Sequence, residues 1–287
     1  MNQNEQNLKN IMYGFNELTM SKLEELMEIE GKIHTHDEME VSLLDFLHEN
    51  DFVMYDGHEY MISEQTKEMF KKIYTAEFKE ERLMKFQVFM CFNMAYDLYN
   101  IVPIDALTKI YNTIADKKLN AEQMLEQVRK NDDIKEDFAI VNNTIVDHDL
   151  LLDKQSYNYI LSSQKGKGHY IPNKEEILFY FDTMELALDE HMDALIEFLF
   201  TKIAGDQERE MMFNVVVELR ELIRTGARMQ DVMDAFGEEL FEIVGEDEEM
   251  KLFELLSNVW NNTRMVSNAG YTPMEAFKLD VKPSMMN

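Results

Sequence analysis

DFVMYDGHEYMIS, residues 51–63, decides how the N-terminal part of the chain is read. Its Asp56-Gly57 pair lies between β-branched and aromatic residues, the strongest short-range signal for a β-hairpin. Upstream, Val41, Leu44 and Leu47 recur at helical spacing, with Phe46 neighbouring them, which predicts a helix over 38–49. Before Gly31, SKLE reads as a capping box, with Ser21 as N-cap and Glu24 at the third helical position. A short helix over 5–18 sets Leu8, Ile11, Met12 and Phe15 on one face. Helix, helix, hairpin is the order of a winged-helix unit, and a further helix over 63–80 is expected to cover it.

The pattern recurs downstream. An apolar helix over 84–99 stops ahead of Pro103, since a residue before proline avoids the α region. Helices are expected at about 103–115 and 120–130. DFAIVNNTIVDH then gives two short strand-like runs around Asn142-Asn143, a turn-competent pair. Phe52 and Phe138 hold corresponding places, 86 residues apart. SSQKGKGHYIPNKEEI, residues 162–177, marks a boundary, with Asn173 capping a helix and Glu176 at its third position. Residues 174–262 read as four or five helices, with Gly205, Gly226 and Gly245 at their C-caps. The expected fold is mainly α (α+β), with two winged-helix-like units (1–80 and 81–161) followed by a C-terminal antiparallel helical bundle (162–287).

Charge narrows the function. The formal net charge is -28, and residues 175–257 alone carry 23 acidic against 6 basic residues. Nucleic-acid affinity rests on neutralised phosphates, so such a field argues against nonspecific binding and suits a basic protein partner. EMEVSLLDFLHEN, the helix that would read DNA in the first unit, contains no lysine or arginine. In the second unit LNAEQMLEQVRK is better suited but still mixed. No signal peptide and no run of about 18 apolar residues is visible, which points to a cytoplasmic chain with no membrane partner. The sequons at Asn142 and Asn261 then carry no glycosylation chemistry. The one cysteine, Cys91, lies in the apolar run FQVFMCFNMAY and reads as a buried small hydrophobe.

Candidates for chemistry are few. His34 and His36 would share a face of an extended segment next to Asp37, a metal-site candidate that lacks a distant third ligand. Asp45 and His48, three apart on a helix, read as a surface pair. No histidine has a glutamate three positions before it, which excludes a carboxylate-bridged di-iron bundle. Nucleophile-elbow, P-loop and dinucleotide motifs are missing, so no cofactor is expected. Lys165, Lys167 and His169 around Gly166 and Gly168 form a candidate anion loop.

NVWNNTRMVSNAGYTPMEAF, residues 258–277, holds the only tryptophan. Asn268 and Gly270 are suited to a left-handed turn, and Thr272-Pro273-Met274-Glu275 to a capping box with proline at the first helical position. Trp260 is expected to anchor this corner in the core. DLYNIVPIDALTKIYN, GHYIPNKEEIL and this stretch, in that order, resemble uncharacterised proteins of low-GC Gram-positive bacteria and their mobile elements, relatives of SEC-C motif proteins. The resemblance covers about 84–277 and is densest at Trp260, Asn261, Asn262, Thr263, Arg264, Asn268, Gly270, Thr272, Pro273 and Glu275. The zinc-binding cysteine cluster of those relatives has no counterpart here, so no zinc role carries over.

These readings lead to a non-enzymatic, acidic interaction or regulatory protein acting through protein–protein contacts. The alternatives are a DNA mimic or anti-defence inhibitor of a basic protein, a metal-dependent enzyme using His34, His36 and Asp37, and a weak winged-helix DNA binder.

Overall fold

The computed structural model describes residues 3–186, 190–203 and 205–281 and is mainly helical, with two small antiparallel sheets. It divides into two compact units, Met1–Phe89 and Met90–Asn287, the change falling inside one long helix.

The first unit runs α1 (Gln3–Tyr13), α2 (Glu17–Glu28), β1 (Lys32–Ile33), α3 (Glu38–Glu49), β2 (Val53–Tyr55), β3 (Tyr60–Ile62), α4 (Glu64–Ile73) and the start of α5 (Ala76–Tyr99). The helix expected over 5–18 ends at Tyr13, and Asn16, not Ser21, caps α2 by accepting the Thr19 amide at 2.8 Å. Asn16 has extended backbone angles, which an N-cap needs, whereas Ser21 lies within the turns that bury Met20, Leu23, Leu26 and Met27. The span 63–80 is likewise two helices: Ser63 caps α4, and α5 begins at Ala76, ahead of the expected residue 84. Arg82, fully buried on α5, ties down the α1–α2 corner by donating to the Phe15 carbonyl at 2.6 Å and to Glu17.

Asp56-Gly57 does lie in a hairpin, but the connection is four residues long. The Asp56 carboxylate accepts the amides of His58 (3.1 Å) and Glu59 (3.0 Å), and Gly57 takes φ +96°. A third strand completes the sheet in the order β1-β3-β2, pairing Lys32 with Met61 and Met61 with Met54. Those three side chains form an exposed row across the sheet, while Ile33, Val53, Tyr60 and Ile62 face the core with Leu44 and Leu47.

The second unit contains the end of α5, then β4 (Ile101–Pro103), α6 (Ile104–Ile114), α7 (Ala121–Lys130), α8 (Asp132–Asp137), β5 (Phe138–Val141), β6 (Thr144–Asp147), α9 (His148–Leu152) and α10 (Lys154–Gln164). Asn142 and Asn143 both adopt positive φ (50° and 62°), giving the two-residue turn whose twist suits a hairpin. Its sheet has the order β4-β6-β5, so in both units the strand before the intervening helices pairs with the last strand of the hairpin. Here the neighbouring elements cover the sheet. Ile101 and Val146 pack with Ile160 of α10 and with Val266.

Helices α11 (Lys174–Thr183), α12 (Glu190–Phe200), α13 (Asp206–Arg224), α14 (Met229–Val244), α15 (Glu249–Asn262) and α16 (Pro273–Val281) follow. Leu195, Leu199, Val216, Leu219, Leu252, Leu256 and Val259 form the core of α12, α13 and α15, each side chain contributing about 2 kcal/mol by leaving water. Asn173 and Glu176 make the reciprocal capping box at the start of α11. Gly245 ends α14 and Gly226 follows α13 with φ +99°, but Gly205 sits at the N-cap of α13 with φ -95°. With no Cβ, Gly205 leaves room for the Glu208 carboxylate that folds over it. Among the described residues no helix is long and apolar enough to cross a membrane.

Candidate functional site

His34 and His36 are exposed, their rings edge to face at 5.0 Å. Asp37 does not turn toward them as a ligand. It caps α3, accepting the Glu40 amide at 2.9 Å. Among the described residues no group of three or more His, Cys, Asp and Glu side chains is placed to hold a metal ion. Asp45 and His48 do not pair. Asp45 accepts the Tyr60 hydroxyl, and His48 Nδ1 donates to the Val53 carbonyl at 2.9 Å, which fixes the Nδ1–H tautomer. The Asp45 hydrogen bond, with burial behind it, lifts the Tyr60 hydroxyl to about 12.

The outer side of α3 is an open groove between His36, Glu38, Val41, Asp45, Phe46 and Glu49. Phe46 is 40% exposed there, and Met39 is exposed on the same helix. Oxygen-rich walls around an exposed ring suit a side chain that is cationic at its tip and apolar along its stem.

The 165–169 loop is committed to the protein. Lys167 Nζ donates to the Ser267 carbonyl at 3.0 Å and to Asn268 Oδ1 at 2.9 Å. The half-buried His169 packs edge-on against Tyr99 at 5.0 Å, and burial, followed by the Lys109 charge, holds its pKa below the ordinary value. Lys165 is exposed at the end of α10. Lys167 and His169 are thus each engaged within the protein, whereas Lys165 is exposed.

The corner at 258–277 gathers contacts from across the second unit. Trp260 Nε1 donates to the Ala227 carbonyl at 2.9 Å. Asn261 and Asn262 donate to carbonyls one turn back, Ser257 and Asn258, and buried Thr263 does the same to Val259. The left-handed residues are Ala269 (φ 54°) and Gly270 (φ 83°), not Asn268, whose amide oxygen is engaged by Lys167. A Cβ on Gly270 would lie 2.9 Å from the Tyr99 ring and 3.2 Å from Tyr170 Cβ, so close packing as well as φ selects glycine. Thr272 and Glu275 exchange hydrogen bonds as a capping box at the start of α16.

Arg264 is the centre of this corner. It stacks on the Tyr170 ring, donates to Glu275 (3.1 Å) and the Gly270 carbonyl (3.2 Å) with Nη1, and donates to Glu176 (3.0 Å) with Nη2. Tyr170 hydroxyl donates to the same Glu176, and burial is the main cause of its raised pKa. Buried Gln164 joins the two ends of the unit, donating to the carbonyls of Tyr99 and Val266 at 2.8 Å each.

Beside Arg264 lies a cavity of about 220 Å³, lined by Arg220 and Arg224 of α13, Glu176 and Tyr170, over an apolar floor that includes Leu98 and Met192. Arg224 donates to Glu221 (2.8 Å) and to the Asp97 backbone carbonyl (2.6 Å), while its buried Nε–H has no hydrogen-bond partner. Burial raises the Asp97 carboxyl even though Tyr180 hydroxyl donates to it at 2.7 Å. Arg220, Arg224 and Tyr170 were not singled out from the sequence. The available signal was two arginines four apart, hence on one helix face, within a strongly acidic segment.

In comparisons with known proteins, no family model, curated protein or solved structure matches the chain.

Proposed function

We propose that the chain is a non-enzymatic interaction protein with two winged-helix-like units and a C-terminal helical bundle, and that it works by protein–protein contact through its first unit. The repeated strand order and the helices that precede each hairpin support the winged-helix reading. One observation carries the choice of partner class. The helix that a winged-helix reader would lay in DNA, α3, offers Glu38, Asp45 and Glu49 around the exposed Phe46 and contains no lysine or arginine. That surface repels phosphates and fits a basic segment with apolar residues on a partner protein. The kinship with SEC-C-related proteins of Gram-positive bacteria and their mobile elements belongs to the same proposal, resting on Trp260–Thr263 and Thr272–Glu275.

Cross-linking mass spectrometry of affinity-captured complexes tests this. The expected result is a partner cross-linked to α3 through a lysine-rich peptide and lost with Phe46→Glu. Salt-dependent shifting of duplex DNA by the wild type, with no partner at α3, would overturn it.

A further inference from the structure

We infer that the outer face of the first sheet docks a basic amphipathic helix of a partner protein. This face is turned away from Leu44 and Leu47 of α3, so the inference goes beyond the role proposed for that helix.

The two small sheets share a strand order but not a cover. In the second, both faces are sealed. Val102 and Ile145 are buried on one, and Ile101 and Val146 on the other, where Ile160 of α10 and Leu150 and Leu151 of α9 close over them. In the first sheet only the face carrying Ile33, Tyr60 and Ile62 is packed. Its opposite face bears the cross-strand row Lys32–Met61–Met54, over which no helix closes among the described residues: Met54 is 52% exposed and Met61 38%. Two methionines side by side in water, on a sheet whose counterpart is sealed by helices, mark a contact surface.

Charge decides the occupant. The Lys32 ammonium at the end of the row is held by Asp56 (2.7 Å) and Glu59 (2.9 Å), which leaves one negative charge in excess there. Both carboxylates still reach solvent. Residues 1–89 as a whole carry 19 acidic against 9 basic side chains. Such a field disfavours a second copy of this acidic chain and draws in lysine and arginine. The second sheet shows the form of cover that suits this topology, a helix laid over the row with an apolar ridge inward. On the first sheet that ridge rests on Met54 and Met61, whose unbranched side chains bend to fit it, and its flanking cations meet Asp56 and Glu59. Strand addition at the sheet edge fits less well, because β1 and β2 are only two and three residues long.

The test titrates the full chain, ¹³C-labelled at its methionine methyls, with a leucine–lysine amphipathic peptide about four helical turns long. Controls are the same peptide with glutamate for every lysine and a scrambled peptide of the same composition. Saturable shifts of the Met54 and Met61 methyls are expected with the amphipathic lysine peptide, and weaker binding with either control. Met61→Lys, followed at Met54, should weaken binding about tenfold or more by removing an apolar contact and adding a like charge. Met54→Lys, followed at Met61, should do the same and serves if the first variant does not fold. Absence of saturable shifts at both methyls, equal binding of the glutamate or scrambled peptide, or affinity that neither substitution changes overturns the assignment. Shifts at Met39 of α3 alone overturn it too, while leaving the role proposed for α3 standing. Shifts of Met54 and Met61 with protein concentration alone, without peptide, make a second copy the occupant and likewise overturn it.

Discussion

The Arg264 guanidinium lies 3.4 Å from the centre of the Tyr170 ring while holding Glu176 and Glu275 with its two terminal nitrogens. One planar cation thus links the start of α11 to the start of α16. Lysine keeps the charge but neither the fork nor the flat stacking surface. Arg264→Lys is expected to cost about 2 kcal/mol, given charge-assisted hydrogen bonds of roughly 1.5–3 kcal/mol each, partly kept by lysine. Urea unfolding followed by the lone Trp260 measures it, and an unchanged midpoint would show that the arrangement adds no stability.

Gly270 and Gly57 both adopt positive φ, but only Gly270 is crowded, by Tyr99 and Tyr170. Gly57→Ala should cost about 1 kcal/mol, the backbone penalty alone. Gly270→Ala should cost about 2–4 kcal/mol, because overpacking is added to that penalty. Equal costs in thermal melts would mean that the rings move aside.

In the first unit, Arg82 satisfies the Phe15 carbonyl from a fully buried position, whereas its partner Glu17 is largely exposed. Arg82→Ala should therefore cost about 2–3 kcal/mol through lost packing and an orphaned carbonyl, and Glu17→Ala less than about 1 kcal/mol. Far-UV circular dichroism melts of the two variants give the comparison. A larger effect at Glu17 would contradict it.

Asp37 is a helix cap. Asp37→Ala should lower stability by about 1 kcal/mol, and adding zinc or nickel to the wild type should leave its melting temperature unchanged. A metal-dependent rise that disappears in His34→Ala would restore the metal reading.

His169 has a pKa held below its ordinary 6.5 by burial against Tyr99. The unfolded chain therefore takes up the proton first. The stability linked to this histidine is present above about 6.5 and is lost as pH falls through the lower folded value. Stability measured from pH 7.5 to 5 should decline for the wild type. The decline should be shallower for His169→Phe, which keeps the aromatic contact and does not titrate.

What the sequence disclosed follows the range of each signal. The Asn142-Asn143 turn, the Asn173 and Thr272 capping boxes, and the α3, α6 and α7 helices each depend on neighbours within a few residues, so their patterns are readable. β1 and β4 were missed because two or three residues cannot show a period of two, and Pro103 within β4 argues against a strand. The α1–α2 break was misplaced because Asn16 and Ser21 are both competent caps, and tertiary burial of Met20 chose between them. The cavity was invisible for a different reason. Its walls come from positions as far apart as Met94 and Thr272, and only the folded second unit brings them together.

The pairing of β4 with β6 also sets an order of events during folding. Asn142-Asn143 closes the β5–β6 hairpin locally, on a timescale of microseconds. Joining Ile101 to Val146 must instead enclose α6, α7 and α8, a loop whose closure costs about 2 kcal/mol more entropy than a tight turn. Strand β4 is then the late one, added to the β5–β6 hairpin when the intervening helices have already shortened the path. Substitutions in β4 should accordingly speed unfolding more than they slow folding, whereas those in the Asn-Asn turn should act chiefly on the folding rate.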